Sequence, residues 1–242
     1  KSIKNSNESE IAIQNNIIFH YDFSDLNSYN RQTTTENNKT INDLSGNNNY
    51  GTVRNISKVY FDSEQNAMFF NGKNDEDATG ISINNLNYVS GPSDQLESLT
   101  IQARIKAKSE STNHPGDERI ILSFDRSAVF RLSIGSDAEN GAQGKIVFGF
   151  TNEDGSMTSY NPNQSLDLRD DQWHDIAIQF KSNTENGIKF FIDGNLIYSD
   201  PNSYKPIGGH VENETPRYGK IGNGSEMESA TGITNPDNMF FG

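Results

Sequence analysis

Short runs in which apolar and polar residues alternate recur along most of the chain. In Leu99–Ala107 every second side chain is apolar, and Phe130–Ile134 and Ile176–Phe180 repeat the alternation. Successive side chains of a β-strand point to opposite faces, so this pattern predicts strands with one buried and one solvated face. No segment sustains the helical period of about 3.6 residues for long.

The predicted strands are short apolar runs, rich in β-branched and aromatic residues and separated by clusters of Gly, Asn, Asp and Ser. Half-buried antiparallel strands of this kind stack as two sheets about 10 Å apart. The predicted fold class is therefore an all-β, antiparallel β-sandwich. The strands are predicted at Ile17–Phe23, Ala67–Asn71, Gly80–Ile83, Leu99–Ala107, Arg119–Phe124, Val129–Ile134, Lys145–Thr151, Trp173–Phe180, Ile188–Ile192, Leu196–Ser199 and Gly219–Gly222.

Polar segments punctuated by Gly, Pro and Asn are predicted to be loops. Binding residues lie on loops of a rigid scaffold more often than on its strands, so we expect function in these segments. They are Asn27–Asn49, Lys73–Ala78, Lys108–Asp117, Asn152–Asp171 and Tyr204–Arg217.

Residues 1–15 are polar and are predicted to be a linker or arm, because they offer little apolar surface to bury. Residues 16–242 are predicted to form a single domain, since β-sandwiches often reach this length. The chain starts with Lys, and its last residues, Met239–Gly242, look like a strand cut short. We therefore expect a fragment of a longer polypeptide with flanking domains.

Composition narrows the possible partners. The chain has 20 Lys and Arg against 33 Asp and Glu, a net charge of −13, which opposes binding to nucleic acid or anionic lipid. No stretch approaches the roughly 20 apolar residues that span a bilayer, so membrane insertion is not expected. There is no Cys, which excludes disulfides, and the 14 Phe and 9 Tyr predict a thin, aromatic core.

One segment carries a family pattern. Gln172-Trp173-His174 opens an alternating strand, and Asp193-Gly194 lies between two further strands. The Asp-Gly pair is typical of a tight hairpin, because both residues accept a positive φ. The segment resembles the laminin-G-like, pentraxin-like branch of the concanavalin A-like lectin/glucanase superfamily, which implies a jelly-roll sandwich. On this interpretation Trp173 and Phe191 fill the core, while His174 faces outward or hydrogen-bonds a neighbouring loop.

Further segments follow in the family's order. Asp43–Thr52 resembles its D-x-S-G-x-x-N-x-G turn, Met68–Gly72 its F-x-G strand end, and Tyr218–Gly222 its late I-G strand. The chain departs from the pattern at Arg104, where the family usually has Trp. It also stops at Gly242, before the closing family sequence F-x-G-x-I-D-D-V-R-I-Y, so the closing strand is expected to be absent or to come from residues not included.

Catalysis is not expected. The superfamily includes β-glucanases that use carboxylates at alternate positions of one strand. No acidic cluster here lies in an alternating strand, and no histidine pair has metal-ligand spacing. The acidic clusters are Asp75-Glu76-Asp77, Glu153-Asp154, Asp170-Asp171 and Glu226-Met227-Glu228.

Calcium is the candidate cofactor, because Asp and Asn oxygens on adjoining loops suit a hard cation. Pentraxin-like relatives hold Ca²⁺ at a rim, and the resemblance transfers that site to Asp125, Asn223 and Glu226. The neighbouring Arg126 opposes a cation. Asp43 either holds calcium or caps its own Ser-Gly turn.

Sugar binding needs polar groups for hydroxyls and an aromatic face to stack on a ring. Five tyrosines lie in or beside loops: Tyr29, Tyr50, Tyr160, Tyr204 and Tyr218. Of these, Tyr160, Tyr204 and Tyr218 are the predicted ligand contacts.

The sequence thus predicts a non-catalytic recognition or adhesion module, extracellular, on a cell surface or on a virion. Its expected partner is a glycan or protein on a surface. The alternative is a structural or protein-interaction domain that decorates a capsid, tail or surface layer without binding sugar. If the module has no ligand, the same acidic residues and tyrosines are ordinary solvated side chains of the surface.

Overall fold

The computed structural model describes residues 17–30, 40–54, 56–70, 80–89, 95–108, 119–124, 129–135, 143–152, 154–162, 166–208, 216–222 and 239–242. Within these ranges the chain forms fifteen β-strands and no helix. A membrane-spanning helix is accordingly not found among them.

The strands form two antiparallel sheets that pack face to face. An eight-stranded sheet has the order β1-β2-β5-β14-β7-β8-β9-β10, and a seven-stranded sheet has the order β13-β12-β11-β6-β15-β4-β3. The predicted antiparallel β-sandwich is confirmed. The strands are β1 (Thr40–Ile41), β2 (Gly51–Arg54), β3 (Val59–Asp62), β4 (Ala67–Phe70), β5 (Gly80–Val89), β6 (Ser98–Ala107), β7 (Arg119–Phe124), β8 (Phe130–Ile134), β9 (Ile146–Thr151), β10 (Met157–Tyr160), β11 (Trp173–Lys181), β12 (Ile188–Ile192), β13 (Asn195–Asp200), β14 (Pro216–Ile221) and β15 (Met239–Phe241).

The core between the sheets is aromatic, as the composition predicts. Its largest fully buried side chains include Phe70, Phe124, Phe130, Phe148, Phe150, Phe180 and Phe190. Neighbouring rings mostly pack at tilted angles, the geometry that aromatic quadrupoles favour.

The strand predicted at Ile17–Phe23 is wrong. The segment forms bends and turns and belongs to no sheet. Its backbone is bound by loop side chains: Nδ2 of Asn47 donates to the Ile17 carbonyl at 2.6 Å, and Nδ2 of Asn49 to the Ile18 carbonyl at 2.8 Å. These side-chain amides satisfy the two carbonyl groups. In a strand, the backbone N–H groups of a neighbouring strand would satisfy them instead.

Four short strands lie where no strand was predicted: β1, β2, β3 and β10. Strand β1 interrupts the predicted loop Asn27–Asn49 and β10 the predicted loop Asn152–Asp171. Strand β10 lies at the edge of its sheet and is half to fully exposed. An edge strand of this kind lacks the apolar alternation on which the prediction relied.

Strand β11 fixes the orientation of the site described below. Its even-numbered residues face the core, with Ile176 and Ile178 buried, so its odd-numbered residues face outward. Trp173 therefore packs on the outer face against Phe69 and Phe240. His174 occupies an inward position and is only 6% exposed. The expectation that Trp173 fills the main core is wrong, because the alternation of this strand places it on the other face.

Strand β15 fills a position inside the seven-stranded sheet, with β4 on one side and β6 on the other. The N–H of Gly242 donates to the carbonyl of Arg104 at 3.0 Å. The interpretation of Met239–Gly242 as strand is thus confirmed for Met239–Phe241.

Candidate functional site

The outer face of the seven-stranded sheet carries an open groove of about 940 Å³. Its floor is a cross-strand row in which Ala177 on β11 lies between Gln102 on β6 and Phe191 on β12. Ala177 is small, so the floor dips between an aromatic ring and an amide. Phe191 is half-buried on the outer face, which corrects the expectation that it belongs to the core.

An ion pair lies beside this row. Arg104 and Asp175 are directly opposite each other on β6 and β11, with Nη1 of Arg104 3.4 Å from Oδ2 of Asp175. Their side chains are 55% and 63% exposed. The Arg104 guanidinium also lies 5.5 Å from the centroid of the Trp173 ring. Because both side chains are exposed, they stay accessible to a ligand, and an exposed pair of this kind contributes little to stability.

The opposite side of the groove is lined by His20, Asp22 and Ser24 and by the β3–β4 turn. The loop that begins at Asp43 holds this side in place. One carboxylate oxygen of Asp43 accepts the N–H groups of His20 and Ser45, both at 2.9 Å. The other accepts the Ser45 hydroxyl at 2.8 Å and the Asn49 N–H at 3.0 Å.

Asp43 therefore caps its own turn, one of the two roles predicted for it. Burial alone would raise the pKa of its carboxyl, but the hydrogen bonds from Ser45, His20 and Asn49 outweigh burial and hold the pKa below the ordinary value of 3.8. Four donors already use the lone pairs that a cation would need.

At the far end of the groove the Asp193-Gly194 pair forms the predicted hairpin turn between β12 and β13, with φ angles of 51° and 76°. His174 contacts this turn, with Nδ1 2.9 Å from Oδ2 of Asp193. Its Nε2 lies 3.2 Å from Oδ1 of Asp170. The expectation that His174 bonds a neighbouring loop agrees with these contacts.

Two of the predicted ligand tyrosines meet, but away from the groove. The rings of Tyr160 and Tyr204 are 5.4 Å apart in an edge-to-face arrangement, and both contact Phe150. The Tyr204 hydroxyl donates to the buried Asp200 at 3.1 Å, and burial raises the pKa of that hydroxyl. Both rings are half-buried, so they extend the core more than they offer a binding face.

No side-chain geometry is described for the remaining predicted site residues. Tyr218 lies on β14, but its side chain is outside the described part of the structure. Asp125, Asn223 and Glu226 also lie outside the described residues. Among the side chains that are described, no group of three or more His, Asp or Glu could hold a metal ion. The calcium site stays a prediction.

The sequence reasoning missed the groove because it sought function on loops. A usable signal was present: once Ile176 and Ile178 face inward, Asp175 and Ala177 must face outward. The alternation therefore already identifies Asp175 and Ala177 as residues of the outer sheet face.

Comparisons with known proteins show the fold. No protein-family model matches the chain, and no curated protein matches it in sequence. Among solved structures it resembles the binding domain of Paraclostridial Mosquitocidal Protein 1, with 17% identity, a TM-score of 0.57, and coverage of 95% of this chain and 48% of that one. The binding domain of botulinum neurotoxin serotype D/C gives 16% identity, a TM-score of 0.52, and coverage of 89% and 50%. Domains LG4-5 of the mouse laminin α1 chain give 18% identity, a TM-score of 0.40, and coverage of 65% and 37%. The chain spans about half the length of the two toxin domains.

Proposed function

We propose that this chain is a non-catalytic recognition module of the laminin-G-like type, and that it binds a glycan in the groove on its seven-stranded sheet. The observation that carries the proposal is the floor of the groove, where the Phe191 ring borders the small Ala177. A sugar ring lying over Ala177 would contact the face or edge of that aromatic ring.

The polar groups around this floor suit a sugar. Gln102 and Gln179 line the groove with amides that both donate and accept hydrogen bonds, and Asp175 and Arg104 add a charged acceptor and donor. Sugar sites combine an apolar platform with a few polar groups of this kind. Asp175 is bound to Arg104 on the neighbouring strand, so a role in binding fits it better than a role in proton transfer.

The comparisons support a binding role in general terms. The two toxin chains whose fold this chain shares are named as binding domains. We extend that role to this chain, together with an extracellular or surface location and a place within a longer polypeptide. Calcium at Asp125, Asn223 and Glu226, and ligand contacts by Tyr160, Tyr204 and Tyr218, are separate proposals that this site does not require.

A protein-interaction domain is the second candidate. Leu196 on β13 lies opposite Phe191 and is 54% exposed, so the apolar strip continues beyond the floor of the groove. Exposed apolar strips on a sheet face are typical of protein contacts.

Glycan-array binding in calcium and in chelator tests the proposal first. For the strongest glycan, calorimetry should then show affinity falling on the order of tenfold in Phe191→Ala, which corresponds to about 1.4 kcal/mol. Ala177→Phe should abolish binding by filling the dip while leaving every polar group in place. Lys181→Ala is the matched control, since Lys181 is exposed on the same strand but does not line the groove.

Two results would contradict glycan binding. One is an array without a hit in either condition. The other is a bound glycan whose affinity is unchanged in both Phe191→Ala and Ala177→Phe. If Leu196→Ala instead weakens a complex with a protein, that result supports the protein-interaction domain.

A further inference from the structure

The His174 ring lies between two carboxylates, one from each side. Nδ1 faces Asp193 at 2.9 Å, Nε2 faces Asp170 at 3.2 Å, and the residue is 6% exposed. A carboxylate only accepts hydrogen bonds, and a neutral imidazole has a single N–H. Only the imidazolium can donate to both carboxylates, so the geometry of the site matches the protonated ring.

Both carboxylates belong to segments that border the groove. The second oxygen of Asp193 accepts the N–H of Asp175 at 2.9 Å, and the Asp193 N–H donates to the Asp175 carbonyl at 2.7 Å. Asp170 accepts the N–H of Gln172 at 3.0 Å, directly before Trp173. His174 therefore joins the β12–β13 turn to the segment 170–172, and its two chain neighbours both line the groove.

We propose that His174 is a positioning residue for the groove: its imidazolium ties the β12–β13 turn to the segment 170–172, and loss of its proton releases that segment and weakens ligand binding. The ligand part rests on the proposed function, whereas the tie between the two segments does not. The neutral ring keeps its shorter bond, to Asp193, and gives up Asp170.

The surrounding charges favour the same direction. Burial alone would lower the pKa of His174, but the hydrogen bonds and charges of Asp193 and Asp170 outweigh it and place the pKa above its ordinary value of 6.5. The other charged groups at this end of the sheet form pairs of their own, Arg104 with Asp175 and Lys106 with Asp171. The tie is fully formed below pH 6.5 and is lost as pH rises through the higher pKa of the folded state.

Trp173 offers a readout that needs no ligand, because it is the single Trp of the chain and precedes His174 directly. We expect its fluorescence to show one transition in the neutral pH range in which histidines titrate. The midpoint should lie above 6.5 in the wild type. Asp170→Asn should lower the midpoint, and His174→Gln should abolish the transition.

His20→Gln is the matched control, because His20 lines the same groove and neither Asp170 nor Asp193 contacts it. It should leave the transition unchanged. A wild-type titration without a transition, or one that persists in His174→Gln, would overturn the inference. The Asp170→Asn variant keeps the test decisive if His174→Gln does not fold.

The test is completed by measuring the affinity for the strongest array glycan at about pH 6 and about pH 8, within the range in which histidines titrate. Between the lower and the higher pH, the affinity should fall several-fold in the wild type and stay level in His174→Gln. A fluorescence transition that depends on His174, without any bound glycan, would sink the proposed function and keep the tie. A glycan bound equally at both pH values, without a transition, would sink the role of His174 and keep the proposed function.

Discussion

Replacing Phe150 with alanine tests the aromatic end of the core, where two predicted ligand tyrosines meet. Phe150 on β9 is fully buried, and its ring centroid lies 5.5 Å from those of Phe148 and Phe180. Tyr160 and Tyr204 pack on it at 6.5 Å and 5.7 Å. The substitution therefore removes the ring that four other rings contact.

The expected loss follows from this packing. Phe→Ala in a core costs about 3–5 kcal/mol, and the cost is highest where the surroundings cannot collapse into the cavity. The four neighbouring rings come from both sheets and from a loop, so they leave little room for collapse. We therefore expect the free energy of unfolding to fall by about 4 kcal/mol. Phe150→Leu keeps much of the volume and should cost about 1–2 kcal/mol.

Urea unfolding at 25 °C measures the loss directly. In a chain of this size, about 4 kcal/mol corresponds to a fall in Tm of roughly 8–16 °C. Leu196→Ala is the control, since a side chain that is 54% exposed should cost about 0.5 kcal/mol or less. A loss below about 1 kcal/mol in Phe150→Ala would refute the packing described for this end of the sandwich.

Three further predictions concern the loops. Asp43→Ala should lower the free energy of unfolding in urea by about 1–3 kcal/mol at neutral pH, because it removes the acceptor of four hydrogen bonds. Since the pKa of Asp43 is lowered, its contribution is present above pH 3.8 and is lost as pH falls through the folded-state pKa, so wild type and variant should converge in acid. Gly187→Ala should destabilise strongly, because a Cβ would meet the carbonyl oxygens of Lys181 and Thr184, whereas Gly194→Ala meets open space and should cost about 1 kcal/mol for its positive φ. If the predicted calcium site exists, Tm should be higher in millimolar calcium than in chelator, and equal values would remove it.

The period of alternation predicted most of the fold. Strands with an apolar inner face, such as β6, β8 and β11, lie within one residue of the predicted bounds. The missed strands β1 and β10 are short or polar, and each lies at an edge of the eight-stranded sheet, where it pairs with a single neighbour. Pairing of this kind depends on tertiary context, which local pattern does not contain.

The candidate site was harder to predict than the fold. The alternation of Ile176, Ile178 and Phe180 places Trp173 outside and His174 inside, whereas the expectation for this segment was that Trp173 fills the core. What the pattern could not supply was which neighbours cover the outer face. The dip at Ala177 exists only because Gln102 and Phe191 lie beside it in the sheet. Gln102 comes from β6, which is distant in sequence, and Phe191 comes from β12, which follows β11 across a turn.

The same alternation separates the residues that build the fold from those that line the proposed binding groove. Inward residues of β11 stabilise the sandwich. Substitution of Ile176 or Ile178 should therefore lower the free energy of unfolding, whichever surface of the chain binds a ligand. Outward residues such as Ala177 can change with little cost in stability, which under the proposed function leaves them free to set ligand specificity. His174 is the exception, since it occupies an inward position while its carboxylate partners border the groove. A change at His174 is therefore expected to alter stability and ligand binding together, and the shared dependence on pH distinguishes this coupling from a general loss of structure.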